Sequence, residues 1–418
     1  MSAYNILDII HNQHVPIRHR EYHQELSRKK YYTKEEVSVM NGCPMLDIDL
    51  EKIMYNTAQV VEKCHQQGID VIGVTKGFSA MHKIVSAMVE GGIDGLADAR
   101  MENIVELRKR GFIQPMTMLR LPSLSNVKNV VQYTNASINS EITVIKALAQ
   151  AAKKLKKIHQ VILMVDVGDL REGILQENVL EIAQQISGLK GIKLLGLGTN
   201  MGCFGGVLPS PDNLGLLVKV GRTVERQLGI KLDIISGGGT SSLFLVENHQ
   251  VPAGVNQLRI GEGILLGTDT TNNRKIPWLN HDAFILRAEV IEVNCKPTVP
   301  TGTIGRDAFG NIPEFTDIGI RKRAIVSMGK QDVNIEGIRP IDERLVILGA
   351  SSDHLIVDIT DSEQRIKVGD QITFSLTYAG LLSVSDSKYV GKQFKGETTK
   401  LFSVSNSKYL EELPPGVA

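Results

Sequence analysis

The sequence predicts an α/β chain: a (β/α)8 barrel of the TIM type over residues 45–275, followed by a mainly-β domain over 276–418. Three observations predict it. Short apolar runs alternate with helix-like stretches from residue 45 to about 275. Strand–helix alternation with buried strands means a parallel sheet. Beyond about 275 helical stretches become few and strand-like runs dominate, the texture of a separate antiparallel domain. About eight strand–helix units in roughly 200 residues is the size of such a barrel. An open doubly wound sheet is the competing arrangement, but no G-x-G-x-x-G follows an early strand to support it.

Residues 1–44 come first, a polar appended segment rich in His, Lys, Arg and Tyr that ends at GCP (42–44). It lacks the basic region and long apolar core of a signal peptide. His11, His14, His19 and His23 fall in it and read as solvated, since no metal-ligand pattern fits. The next run, Met45 to Asp49, is a strand, and a helix follows from about Leu50 to Gln67 with Ile53, Ala58, Val61 and Cys64 at helical spacing. The barrel strands are then VIGVT (71–75), GLAD (95–98), MTMLRL (116–121), ASINS (136–140), VILMVDV (161–167), LLGLGTN (194–200), LDIISGG (232–238) and LRIG (258–261). In the second domain AFILRAEVIEV (283–293), RAIVSM (323–328), RLVILGA (344–350), HLIVDI (354–359) and QITFSL (371–376) read as strands. LSVSDSKYV (382–390) recurs as FSVSNSKYL (402–410), a duplication or a pair of edge strands.

Composition narrows the function. Lys and Arg number 47 against 46 Asp and Glu, so there is no basic face for nucleic acid, and small molecules or other subunits are the expected partners. No apolar run reaches membrane-spanning length. The four cysteines, Cys43, Cys64, Cys203 and Cys295, form no C-x-x-C pair, which argues against zinc and against a disulfide framework. Reduced cytoplasm is the expected compartment.

In a barrel of this kind the chemistry sits at the C-terminal ends of the strands. Lys76, Asp98, Arg100, Arg120, Asn139, Asp166, Arg171 and Asn200 all fall there. Lys76 ends an apolar run, where an ammonium is costly to bury unless it is paired or loses its charge. SGGGTSSL (236–243) and RIGEG (259–263) are glycine-rich turns on neighbouring strands whose backbone N–H groups suit a phosphate. Two such turns opposite Lys76 point to a phosphorylated cofactor held as a Schiff base. Taken singly, each residue has a plainer reading: a snorkelling lysine, ion-paired arginines, and Asp307 as a turn residue before AFGN.

Together these residues carry a resemblance. DIDLEKIMYN (47–56), VTKGFSA (74–80), VILMVDVGDLREGI (161–174), GTNMGCFG (198–205), IISGGGTSSL (234–243), NQLRIGEGILLG (256–267), DAFGN (307–311), GIRKRAIVSMGKQDV (319–333) and ILGASSDHLIVDI (347–359) resemble the fold-type III pyridoxal-phosphate enzymes. These are the alanine racemase group, and the likeness is greatest to the ornithine racemases and their amino-acid racemase relatives. It covers about residues 45–392.

The resemblance implies an isomerase that interconverts L- and D-amino acids, ornithine or another basic amino acid first, with pyridoxal 5'-phosphate as cofactor. Lys76 corresponds to the lysine that holds the cofactor and acts as one acid/base. Arg259 corresponds to the arginine facing the pyridine nitrogen, and Arg171 to the one at the phenolic oxygen and substrate carboxylate. Asn200 stands where the alanine enzymes place a His. Thr240, Ser241, the backbone at Gly261 and Glu262, and Tyr378 correspond to the phosphate pocket. The chain departs from that pattern at Ala80, where a Tyr is usual, and at Met164, where a modified Lys is common. No Tyr occurs in IGRDAFGN (304–311) to reach in from a partner subunit, which leaves Asp307 as the ionisable candidate for second acid/base. Asp353 aligns with the segment that closes the substrate pocket and is the expected partner of an ornithine ammonium. A homodimer with a shared site is implied. The alternatives are a D-amino-acid aldolase or decarboxylase on the same cofactor, or a non-catalytic cofactor carrier.

Overall fold

A computed structural model describes residues 44–398. The histidines of the leading segment and the second repeat copy (402–410) lie outside the described residues. The described chain opens with β1 (Met45–Asp49) and α1 (Leu50–His65). Asp49 caps the helix by accepting from Lys52 N at 3.1 Å. Its buried stripe is Ile53, Thr57, Val60 and Cys64, at the i, i+4, i+7, i+11 spacing of one helical face. Ala58, expected on that face, is exposed because the stripe runs past it through Thr57.

Eight strands follow: β2 (Asp70–Val74), β3 (Gly95–Asp98), β4 (Met116–Met118), β5 (Ala136–Asn139), β6 (His159–Asp166), β7 (Ile192–Gly198), β8 (Ile234–Ser236) and β9 (Gln257–Ile260). Each pairs in parallel with the next. β9 pairs back onto β2 with Arg259 beside Ile72, which closes the ring. The barrel is therefore closed and the open-sheet arrangement is excluded. Helices α2 (His82–Glu90), α3 (Met101–Lys109), α4 (Val127–Tyr133), α5 (Ile142–Lys154), α6 (Val179–Ser187), α7 (Pro211–Leu228), α8 (Leu243–Glu247) and α9 (Glu262–Leu266) connect the strands. In α7, Ser210 and Asn213 form a reciprocal capping box ahead of Pro211. At Gly196 an added Cβ would stand 1.8 Å from the Ile234 carbonyl oxygen, so β7 and β8 approach as only glycine allows.

The C-terminal region is an antiparallel sheet in the order β12 (Ile338–Pro340), β15 (Gln371–Leu376), β10 (Phe284–Pro297), β11 (Ile320–Val326), β14 (Leu355–Asp358), β13 (Val346–Ala350). The first half of β10 pairs with β15 and the second half with β11. An irregularity between Val290 and Glu292 lets the strand change partners. β1 joins this sheet rather than the barrel, antiparallel to β10 and parallel to β16 (Gly391–Lys395). So the strand that opens the segment expected as barrel hydrogen-bonds in the second sheet. One hydrophobic core runs through both parts, from Val71, Leu96 and Leu258 of the barrel to Phe284, Val326 and Phe374 of the sheet. Asn56 on α1 staples the two. It donates to the carbonyls of Ile264 and Asn280 at 3.0 Å each and accepts from Asn280 N at 2.7 Å.

α10 (Tyr378–Asp386) returns the chain toward the barrel mouth, capped by Thr377. It contains the start of the first repeat copy, so the edge-strand reading does not hold for that copy. Leu381, Val384 and Ser385 are buried at helical spacing. No helix among the described residues is long and apolar enough to cross a membrane.

Candidate active site

Lys76 begins a single 3-10 turn, Lys76–Phe78, immediately beyond β2. The turn is fixed from beneath: Thr75 donates its hydroxyl to Asp98 Oδ2 at 2.5 Å and its N–H to the Ala97 carbonyl at 2.9 Å. Asp98 is fully buried at the end of β3 and also accepts from Arg100 N at 2.7 Å. Burial, more than any neighbour, lowers the Lys76 pKa; the charges of Arg171 and Arg259 add to this, while Cys203 and Asp98 oppose it. The Lys76 ammonium has no hydrogen bond or ion pair among the described residues. A lysine so placed gives up its proton more easily than a free one, and the neutral amine is a nucleophile.

Arg259 on β9 is 5 % exposed, and burial pushes its pKa down to about 10, so it stays charged at neutral pH. It donates to Ser236 Oγ, to the Thr199 carbonyl at 2.7 Å and to Asn200 Oδ1 at 2.5 Å. Asn200 in turn donates its Nδ2 to Glu172, whose carboxylate is also held by Arg171, through Nε and through Nη2 at 2.6 Å. Burial works against the charge on Arg171, but the Glu172 bond and charge, with Cys203 and Asp169, outweigh it and raise its pKa. The two expected arginines and Asn200 are thus joined, and Glu172, which no sequence signal singled out, is the link between them.

The loops that carry these groups are pinned by carboxylates. Asp166 Oδ1 accepts from Gly168 N at 2.8 Å and Leu170 N at 3.2 Å. Gly173 has φ 141°, and a Cβ there would lie 2.5 Å from Asp166 N, so Arg171 and Glu172 sit on a loop pressed against the end of β6. Asp169, 2 % exposed, accepts from Gly202 N at 3.1 Å and Phe204 N at 3.2 Å. This brings Cys203 close to Lys76, Arg171, Arg259 and Tyr378. Cys203 and Asp169 also escaped sequence reading, since neither falls in a periodic element.

Two short turns meet beside β9. Thr240 opens the 3-10 turn Thr240–Ser242 and accepts from Gly263 N at 3.2 Å, which sets it against the start of α9. Gly239 and Gly261 precede the two turns, whose leading N–H groups have no intrahelical partner. Ser241 is 6 % exposed there. The Glu262 side chain turns away to Thr268 Oγ1 at 2.7 Å and Thr270 Oγ1 at 2.5 Å, and burial raises its pKa. The Tyr378 ring lies against Gly77, where an added Cβ would meet it at 3.1 Å. Burial, with Glu262, Cys203 and Asp98, pushes its phenol up to about 12. Tyr378 therefore reaches the same space from the second sheet.

Asp307 and Asp353 are not brought to this cluster within one chain. Asp307 accepts from Asn311 N at 2.8 Å and Phe309 N at 2.9 Å in an exposed turn, and these bonds, Asn311 foremost, lower its pKa. Asp353 accepts from Ser352 Oγ at 2.8 Å between β13 and β14. The two do share a corner. The Gly329–Asp332 turn packs on Ser352 and Asp353, and Lys330 Nζ lies 3.6 Å over the Phe309 ring. Arg100 and Arg120 are exposed at the strand ends. Asn139 turns inward, donating to the Ser137 carbonyl at 2.9 Å. At the other end of β2, ligand atoms of His65, Asp70 and Asp94 lie within 4.8 Å of one another, a grouping the sequence spacing did not disclose.

Comparison with known proteins agrees with this geometry. The chain is 42 % identical over 351 residues to ornithine racemase of Acetoanaerobium sticklandii, covering 84 % of this chain and 99 % of that protein. It is 40 % identical over 352 residues to lysine racemase of Thermotoga maritima, covering 84 % and 98 %. Among solved structures, the alanine racemase of the D-cycloserine producer Streptomyces lavendulae superposes with a TM-score of 0.67 at 16 % identity, over 85 % of this chain and 98 % of that one. That likeness speaks to the fold. Residues 48–269 match the family described as alanine racemase, N-terminal domain. That span runs from β1 past the glycine-rich turns and includes Lys76, Arg171, Asn200 and Arg259, and the chain belongs to this family.

Proposed function

We propose that the chain is a pyridoxal-phosphate-dependent racemase of basic amino acids, with ornithine as first substrate, working as a homodimer in the cytoplasm. The observation that carries the reading is Lys76, a lysine whose pKa burial lowers, and a buried guanidinium, Arg259, on neighbouring strand ends beside two glycine-rich turns. The near-complete coverage of an ornithine racemase and a lysine racemase supports the substrate class.

The residues fit the cofactor. Lys76 would hold its aldehyde carbon. Thr240, Ser241 and the backbone at Gly261 and Glu262 would hold its phosphate, with Tyr378 closing over it. Arg259, donor-only and charged, would face the ring nitrogen and leave it unprotonated. When bound, pyridoxal phosphate draws electron density from the substrate Cα and makes its proton labile. Arg171 fixes the substrate carboxylate and so orients that Cα–H bond. Lys76, whose pKa burial and the neighbouring guanidiniums lower, takes the proton on its own face. The opposite face calls for a second proton carrier, and Asp307 of the partner subunit is the proposed group. To serve, it must release the N–H groups of Phe309 and Asn311 when the subunits assemble. Asp353 of the partner subunit is proposed to receive the distal ammonium.

The test is one preparation read two ways. Purified protein with added pyridoxal phosphate is expected to show a visible absorbance band that borohydride abolishes, with the label on Lys76. It is also expected to convert L-ornithine to the racemate faster than L-alanine by chiral chromatography. A label elsewhere, or no enantiomer formed from any basic amino acid, overturns the reading.

A further inference from the structure

Glu172 has no part in the chemistry described so far, yet it stands at the centre of the polar chain. Its side chain is 14 % exposed, and its carboxylate is gripped by one edge of Arg171, through Nε and Nη2. Its remaining partner is the Asn200 amide nitrogen. A carboxylate only accepts, and a guanidinium only donates. An asparagine between the two can satisfy both in one orientation alone, nitrogen toward Glu172 and oxygen toward Arg259. That is the orientation found, with Asn200 Oδ1 accepting from Arg259 at 2.5 Å. The backbone supports it: Gly173 presses the Glu172 loop onto the end of β6, so the carboxylate does not drift.

We propose that Glu172 is a positioning residue for the cofactor ring: by taking the Asn200 amide nitrogen it fixes the Asn200 oxygen on Arg259, and so sets the direction and charge of the guanidinium that faces the ring nitrogen. The inference rests on the reading of Arg259 as the ring-nitrogen partner. With Glu172 neutral, the amide is free to turn and set its NH2 against a guanidinium, two donors face to face, which a buried site disfavours.

The experiment uses the full chain loaded with pyridoxal phosphate, as wild type, Glu172→Gln, Glu172→Asp, Asn200→Ala and the Glu172→Gln/Asn200→Ala double variant. The visible band is titrated against pH, the cofactor dissociation constant is measured by adding back to apoprotein, and kcat and KM are determined. Glu172→Gln is expected to move the band's titration midpoint by roughly one pH unit. It is expected to lower kcat about tenfold at nearly constant KM, as loss of one charge-assisted bond would. Glu172→Asp should recover part of both, and it carries the test if the Gln variant misfolds. In the Asn200→Ala background the Gln substitution should add nothing, since the path runs through that amide. A wild-type band whose titration is unmoved by Glu172→Gln, or an equal effect with and without Asn200, overturns the inference alone. Absence of a band in the wild type overturns the cofactor reading and this inference with it.

Discussion

The barrel mouth and the segment 298–319 are opposites. At the mouth Arg171, Asn200 and Arg259 are all held by named partners, and Lys76 alone of the four has none among the described residues. Segment 298–319 has no helix or strand, and Ile304, Phe309, Ile312, Phe315 and Ile318 stand 44 % to 65 % exposed within it. Scattered exposed apolar residues are ordinary, but five within fifteen positions of irregular chain form a patch that needs covering. The first region is held by contacts among its own described residues; the second is the one on which the proposed second copy would act, since Asp307 and Asp353 share their corner there.

The largest effect that would break this contrast is loss of assembly. Phe315→Asp with Ile318→Asp is expected to weaken self-association on the order of 100-fold or more, the cost of two buried apolar anchors. Sedimentation should then show monomers, with racemase activity falling in step with the dimer fraction. Full activity from a monomer would mean that the mouth needs nothing from a partner. A smaller effect sharpens the comparison at the corner itself. Asp353→Asn should lower kcat/KM for ornithine about tenfold more than for alanine, because only ornithine loses a charge-assisted contact. Equal losses would remove Asp353 from substrate selection.

A third effect concerns stability alone and belongs to the barrel. His159 is 1 % exposed, and burial, helped by Lys157, pushes its pKa down to about 4. The unfolded chain therefore takes up a proton near the ordinary value of 6.5 while the folded chain does not. Stability from this group is complete above about pH 6.5 and is lost as pH falls toward 4, by up to about 3 kcal/mol. Urea midpoints at pH 7.5 and 4.5 should differ less in His159→Gln than in wild type. An unchanged difference would mean that other groups set the acid limit.

Much of the mouth was legible in the sequence because buried parallel strands leave an unmistakable apolar run. The residues just past such runs, Lys76 and Asn200 among them, announce themselves as polar exceptions. Glu172, Asp169 and Cys203 were not legible. They lie in loops without period, and the places of Glu172 and Asp169 come from hydrogen bonds to residues about 28 to 38 positions away. The helix at 378–386 was obscured for another reason. Its Ser-Val-Ser alternation imitates a strand, and the Thr377 cap and the packing of Leu381 and Val384 override that local signal. β1 was recognised as a strand, but five residues carry no mark of which sheet they will join.

That last point bears on how the chain is made. β1 is the first described strand to leave the ribosome, yet its partners are residues 284–287 and 391–395. One edge of Met45–Asp49 stays unsatisfied until residues 284–287 are made and the other until 391–395 are, while the barrel between them is able to close. Truncation before residue 391 should therefore leave a nascent chain with an open edge, prone to capture by chaperones or by other copies, however well its barrel has formed.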